Sequence, residues 1–248
     1  EAVAASVRGC DLEPLISSTA VTTPSCSWSV VQQNALGALV ITASHNPPQW
    51  LGLKIKGPMG GSVEEGFTKA VEQRIFLGGI SIPKEGKLKE FDCRMEHLIG
   101  ISQKFNIEEL VSSVRNMNLK IIVDPMHGSA SGCMSDLLGQ NSPEFLREIR
   151  TDRDPLFGGN APEPLAQYLK ELIELVKKSS SNNSPALGLV FDGDGDRIAA
   201  IDENGRYCNT QILMPLLIDH LVREKKTPGC VIKTVSGCDL MSLISEDL

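Results

Sequence analysis

At 248 residues and 41% hydrophobic content the chain can bury substantial cores, and at 4% aromatic content those cores must be aliphatic. A net charge of −7 with no basic block argues against nucleic acid or an anionic membrane as partner, and no apolar run approaches the roughly 20 residues of a transmembrane helix. The seven cysteines are scattered, with no Cys-x-x-Cys pair, which argues against a zinc site or a disulfide frame and for reduced thiols in an intracellular compartment. Glu1-Ala-Val-Ala-Ala-Ser lacks a signal-peptide core, and Asn182-Asn183-Ser184 is a glycosylation match short enough to arise by chance.

The opening, residues 1–12, begins without a cap or a full strand and reads as cut. Ser17 to Thr23 is polar and β-branched and ends at Pro24, and a helix is predicted from Ser25 to Ala35. After Gly37, the apolar run Ala38–Ile41 is too short for a helix and predicts a buried strand. Thr42-Ala-Ser-His-Asn-Pro47 ends it abruptly, so Ser44 sits at a strand end in a rigid turn. Such residue types also form ordinary turns. Open α/β sheets, however, bind ligands beyond the carboxyl ends of their strands, where a serine can act as nucleophile or covalent carrier. His45 and Lys54 are the nearest candidates to move protons or hold negative charge.

Gly52–Lys56 alternates like an edge strand. Ser62-x-x-Glu65 resembles a capping box and predicts a helix to about Phe76, with Val63, Phe67, Ala70, Val71 and Ile75 on its inner face. Residues 78–90 read as a loop and 92–104 lean helical. Asn106-x-x-Glu109 opens another helix, to about Asn116, taken as a connection between domains.

Leu119–Asp124 predicts a buried strand, Pro125-Met-His-Gly128 a turn shaped by His127, Ser129–Gln140 a helix and Phe145–Arg150 a short strand. A Gly/Pro/Asp-rich loop follows over 151–164. The next helix is predicted from about Glu163 to Lys178, with Leu165, Leu169, Leu172, Ile173 and Val176 as its inner stripe. Leu187–Phe191 is a buried strand that runs into Asp192-Gly-Asp-Gly-Asp-Arg197, and Ile198–Ile201 resumes the strand pattern. After the turn at 202–205 come a helix from Thr210 to about Glu224 and a strand over Cys230–Val235. Strands alternating with helices imply parallel or mixed sheets covered on both faces.

Asp192, Asp194 and Asp196 crowd three carboxylates into one glycine-interleaved turn, and a cation would relieve their repulsion. Oxygen-only donors select a hard divalent ion such as Mg²⁺, Ca²⁺ or Mn²⁺. A calcium loop over 192–203 is the competing metal reading, since Glu203 falls at its twelfth position. Arg197 stands where that loop needs glycine, and the flanks read as strands. A solvated acidic turn would explain neither the buried strand before the aspartates nor the glycines between them. A Mg²⁺ site with few protein ligands asks for phosphate oxygens, and a phosphorylated Ser44 would supply them.

On Thr42-Ala-Ser-His-Asn-Pro47 and Asp192-Gly-Asp-Gly-Asp-Arg197, in this order and separation, the chain resembles the α-D-phosphohexomutases, which include phosphoglucomutases, phosphomannomutases and phosphoglucosamine mutases. Val123-Asp-Pro-Met-His-Gly128, Phe157-Gly-Gly-Asn-Ala-Pro-Glu-Pro164 and Thr22-Thr-Pro24 add weaker support. The resemblance implies that Ser44 carries a phosphoryl group between the 1- and 6-positions of a hexose phosphate, through a bisphosphorylated sugar that also serves as activator. It implies that Ser44 as phosphoserine, Asp192, Asp194 and Asp196 hold Mg²⁺. Lys54 would serve as general acid–base, His45 as its assistant, and Arg197 as a contact to the phosphoserine or substrate phosphate.

Where the family has Tyr-Asn-Gly-x-Lys, this chain has Trp50-Leu51-Gly52-Leu53-Lys54. The family's opening segment, most of its third domain and all of its fourth are missing, so the expectation is a chain truncated at both ends and weak or inactive alone. The alternative is a catalytically silent member that binds a sugar phosphate or a full-length partner. The expected fold is α/β: a phosphoserine domain over 1–104, a metal-binding domain over 105–205, each a sheet with helices on both faces, and the start of a third over 206–248. The expected setting is intracellular, cytoplasm or plastid stroma.

Overall fold

A computed structural model describes residues 1–75, 77, 82–139 and 144–247 of the chain. The first part comprises α1 (Ala2–Gly9), β1 (Leu15–Ser17), α2 (Thr23–Gln32), β2 (Ala38–Thr42), β3 (Gly52–Lys56), α3 (Glu65–Ile75), β4 (Lys89–Phe91) and α4 (Cys93–Ser102). Then follow α5 (Ile107–Asn116), β5 (Lys120–Asp124), α6 (Cys133–Leu138), β6 (Leu146–Glu148), α7 (Lys170–Ser179), β7 (Ala186–Phe191), β8 (Ile198–Ile201) and β9 (Tyr207–Cys208). The chain ends through α8 (Thr210–Asp219), a π turn over His220–Glu224, and α9 (Asp239–Asp247). The class is α/β, as the alternation of strands and helices implies. No described helix is long and apolar enough to cross a membrane.

The second part is built around a mixed sheet in the order β6-β5-β7-β8-β9. β6, β5 and β7 run parallel, while β8 and β9 return antiparallel. Successive side chains of a strand point to opposite faces, so β5 and β7 feed two cores. Ile122, Ala186 and Val190 pack under α7, against Leu169, Leu172 and Val176. Val123 lies on the other face with Val111 and Val114 of α5 and Leu138 of α6. The helix read as a domain connection is thus part of a core. Its cap is as expected, with Asn106 Oδ1 accepting the Glu109 N–H at 3.1 Å.

Asp124, fully buried at the end of β5, receives Arg150 Nε at 2.9 Å, a second bond from Arg150 Nη2, and the Met126 N–H at 2.9 Å. This ion pair ties the turn after β5 to the segment after β6.

The first part holds two small sheets among the described residues: β1 with β4, parallel, and β2 with β3, antiparallel. Here several expectations change. The run Ala38–Ile41 is a strand, but only Val40 is buried, because Leu39 and Ile41 lie on its exposed face. Ser62 bridges back to Lys56 instead of capping, and α3 starts at Glu65 with none of its residues buried. The opening forms α1, which composition alone did not suggest.

Elsewhere the boundaries shift for local reasons. The helix expected over 129–140 is confined to Cys133–Leu138, after Gly132 at φ 74°. The helix expected from Glu163 starts at Lys170, after an extended Leu165 and a 3₁₀ turn over Ala166–Tyr168, so Leu165 is exposed. Cys230–Val235 is not a strand, and Ile232 and Val235 are exposed. Phe76, Gln140 and the first residues of the predicted 78–90 loop lie outside the described residues.

Candidate active site

Two loops far apart in sequence meet on one carboxylate. In the antiparallel β2–β3 pair, Val40 lies opposite Lys54 and Thr42 opposite Gly52. Side chains of facing residues emerge on the same side, and alternate residues of one strand share it. Thr42 and Lys54 therefore project from one face of this ribbon, and both reach Asp194. Lys54 Nζ lies 2.7 Å from Asp194 Oδ2 and 2.9 Å from Asp196 Oδ2. The Thr42 hydroxyl donates to the same Asp194 Oδ2 at 3.2 Å.

Ser44 follows β2 with φ 56°, a left-handed conformation that non-glycine residues rarely adopt. Its N–H donates to Thr42 Oγ1 at 2.8 Å, which ties the turn to the strand end. His45 Nδ1 lies 3.4 Å from Ser44 Oγ, and its Nε2 lies 4.0 Å from Glu163 Oε1. Of the predicted proton carriers, His45 is thus beside the serine oxygen and Lys54 among the aspartates.

The aspartate loop joins β7 to β8, whose pairing closes with Phe191 opposite Ile198. Strands on both sides exclude the helix-flanked calcium loop. Asp192 is 0% and Asp194 4% exposed. Asp192 Oδ1 accepts the N–H groups of Asp196 and Arg197, each at 3.0 Å. Asp194 Oδ2 takes a third donor, the Thr23 hydroxyl at 2.7 Å, while the Thr23 N–H donates to the Asp194 carbonyl at 2.8 Å. Both interleaved glycines are sterically required. A Cβ on Gly193 would lie 2.5 Å from the Ser44 carbonyl oxygen, and one on Gly195, at φ 66°, would lie 2.7 Å from Thr22 Cγ2. The Gly193 N–H also donates to the Pro162 carbonyl at 3.1 Å, drawing in the loop that bears Glu163.

The charges are unevenly balanced. Burial, reinforced by the neighbouring Asp196 and Asp194, pushes the Asp192 carboxyl up to about 6 despite its two backbone donors. Burial also acts to raise Asp194, but Lys54, Thr23 and Thr42 outweigh it and hold that carboxyl below its usual range. Burial acts to lower Lys54, and its bonds to Asp194 and Asp196 outweigh this and raise it, so the amine is kept protonated.

Asp192 Oδ2 and Asp194 Oδ1 are buried with no hydrogen-bond partner among the described residues. Orphaned buried acceptors are costly and call for a donor or a cation. One oxygen from each of Asp192, Asp194 and Asp196 lies within 4.8 Å of the others. This all-oxygen set suits a hard divalent ion.

Arg197 lies against the loop's own Asp192, with Nε 4.0 Å from Oδ2, and its side chain is about half exposed, 47%. His127 is bound elsewhere, Nδ1 3.0 Å from the Asp152 carbonyl, as a turn-shaping residue would be. Sequence reasoning included Thr23, Thr42 and Glu163 in its motifs but gave no role to the two hydroxyls or the carboxylate. The available signal was positional: Thr42 stands two residues before the serine, and Thr23 stands at a helix start marked by Pro24.

Residues 1–78 match the family described as phosphoglucomutase/phosphomannomutase, alpha/beta/alpha domain I, and residues 96–205 match its alpha/beta/alpha domain II. A phosphoglucomutase/phosphomannomutase of Thermococcus kodakarensis is 28% identical over 241 residues, covering 96% of this chain and 50% of the relative. A phosphoglucosamine mutase of Methanococcus maripaludis is 29% identical over 248 residues, covering 97% and 51%. Among crystal structures, the fold is similar to that of a Thermus thermophilus protein described as a phosphomannomutase. There the TM-score is 0.84 at 27% identity, over 97% of this chain and 53% of the other. The chain spans about half the length of the curated relatives it matches.

Proposed function

This chain belongs to the phosphoglucomutase/phosphomannomutase family, and from that premise we propose that it transfers a phosphoryl group on hexose phosphates through Ser44. The carrying observation is Asp194, a buried carboxylate bonded at once by Thr42 of the serine loop and by Lys54. It joins the two loops whose chemistries complete each other.

In this reading Ser44 Oγ carries the phosphoryl group and gives it to a hydroxyl of a hexose phosphate. The bond from phosphorus to Oγ breaks as the bond to the sugar oxygen forms. The sugar hydroxyl gives up its proton and Ser44 Oγ takes one. His45 is placed 3.4 Å from Oγ to assist that return. Lys54, held protonated, serves as the general acid–base of the site: its ammonium gives the proton to Ser44 Oγ, and the amine so formed takes up the proton of the sugar hydroxyl. The bisphosphorylated sugar then turns and returns its other phosphate to Ser44. Arg197, with its exposed guanidinium, contacts phosphate oxygens. Asp192, Asp194 and Asp196, with the phosphoserine, would hold Mg²⁺, which when bound withdraws charge from the phosphoryl oxygens.

The test is to incubate the protein with Mg²⁺ and glucose 1,6-bisphosphate and map phosphate by peptide mass spectrometry. The expected result is phosphate on Ser44, absent in Ser44→Ala and lost again on adding a hexose phosphate. Phosphate on Ser44 only in a chain extended to the relatives' length would favour the second reading, that these 248 residues bind sugar phosphate or a longer partner without turnover. No phosphate on Ser44 in either chain would sink the assignment.

A further inference from the structure

Asp194 divides its two oxygens. Oδ2 accepts from Thr23 at 2.7 Å, from Thr42 at 3.2 Å and from Lys54 at 2.7 Å, while Oδ1 is buried and accepts from no described donor. A carboxylate with one oxygen saturated cannot turn about its Cβ–Cγ bond without breaking those bonds. The saturated oxygen therefore fixes where the other one points. Lys54 alone would not fix it, because its long flexible chain also reaches Asp196. The two threonines are short, β-branched and rooted in regular elements, Thr23 at the start of α2 and Thr42 at the end of β2.

Thr42 does a second thing. Its oxygen accepts the Ser44 N–H at 2.8 Å while its proton goes to Asp194 Oδ2. One hydroxyl thus holds both the left-handed turn of the serine and the carboxylate that faces it. Such relays are directional, since the proton that Thr42 gives to Asp194 leaves its lone pairs for the Ser44 amide.

We infer that Thr23 and Thr42 are positioning residues: they aim Asp194 Oδ1 at a divalent cation, and Thr42 couples that aim to the conformation of the Ser44 turn. The inference rests on the phosphoserine and metal reading above. It concerns hydroxyls that touch neither the cation nor the phosphoryl group, and partners of this outer kind typically change metal affinity by about 10- to 100-fold.

The substitutions Thr23→Val and Thr42→Val keep shape and branching while removing only the hydroxyl. In Thr23→Val the backbone bond from residue 23 to the Asp194 carbonyl, 2.8 Å, stays in place, so the loop remains docked. Mn²⁺ affinity is read by calorimetry and by electron paramagnetic resonance on the full 248-residue chain, and Ser44 amide exchange is read by NMR in EDTA. The expected result is a loss of Mn²⁺ affinity of about tenfold or more in both valine variants, restored in Thr23→Ser and Thr42→Ser. Ser44 amide exchange should quicken in Thr42→Val and stay unchanged in Thr23→Val. Wild-type affinity in both valine variants overturns the aiming role, as does an equal loss in the serine variants. An unchanged Ser44 amide in Thr42→Val overturns the coupling. Should Thr23→Val fail to fold, Thr42→Val decides on the same criteria. A wild-type chain that binds no Mn²⁺ overturns the inference together with the metal reading, whereas binding that ignores the valines overturns the inference alone.

Discussion

Asp192 has no solvent exposure, and its Oδ2 has no described hydrogen-bond partner. The backbone N–H groups of Asp196 and Arg197 satisfy only its Oδ1. Its carboxyl is pushed up to about 6, above its ordinary 3.8, by burial and by two like charges, so without a cation the ionised form costs stability. Each pKa unit corresponds to about 1.4 kcal/mol, so that cost is on the order of 3 kcal/mol. Asparagine at 192 keeps the acceptor for both N–H groups and removes the charge. In EDTA, Asp192→Asn should therefore melt higher than wild type, by up to about 3 kcal/mol, and Mg²⁺ should no longer raise its melting temperature. A variant less stable than wild type in EDTA would show that the aspartate loop carries no electrostatic strain. The carboxylates were legible in the sequence because three aspartates interleaved with glycines, directly after a buried strand, repel one another at a fixed place unless a cation sits among them. The roles of Thr23 and Thr42 were not, because a threonine near a turn is ordinary until the fold reveals its partner, 171 and 152 residues away respectively.

At the scale of elements, periodicity identified α7 well and its start poorly. Leu165, Leu169, Leu172 and Val176 fit one helical stripe in the sequence. Residues 169, 172 and 176 are fully buried, but Leu165 precedes the helix in extended conformation and is exposed. The prolines at 162 and 164 disfavour helical geometry just before it. Leu172→Ala should cost about 2–5 kcal/mol in urea unfolding and Leu165→Ala under about 1 kcal/mol. Equal costs would mean that the stripe extends back as the sequence pattern suggests. The Arg150–Asp124 pair offers a second check. Arg150→Met leaves a fully buried carboxylate without its partner, so about 3–5 kcal/mol should be lost. The pair was invisible in the sequence, because 26 residues separate its members and only the parallel pairing of β5 with β6 brings their ends together. The strand expected over Cys230–Val235 failed for a related reason. An apolar β-branched run becomes a strand only by pairing, and no described strand pairs with it.

On the scale of the whole molecule, the two parts meet at the aspartate loop and again between α4 and α6, where Arg94 Nη2 lies 2.6 Å from Asp136 Oδ2. Thr23, Thr42 and Lys54 reach Asp194 from the first part, and Gly193 packs against the Ser44 carbonyl. Ser129 and Pro162 hold the same loop from the second part, through the Gly193 carbonyl at 2.9 Å and its N–H at 3.1 Å. A cation held by these carboxylates binds the folded arrangement and not the unfolded chain, so it stabilises by about 2.7 kcal/mol at a concentration 100 times its dissociation constant. That stabilisation should not stay local. Hydrogen exchange with and without Mg²⁺ should show protection at 192–197 and, through the threonines and Lys54, at residues 22–25 and 40–56. The helix α7, anchored in its own core, should change little. Asp194→Asn should abolish the distant protection, since a neutral amide binds neither the ion nor Lys54 as a carboxylate does. Protection confined to 192–197 would mean that the loop binds its ion as a local turn and that the serine loop is a neighbour without energetic connection to it.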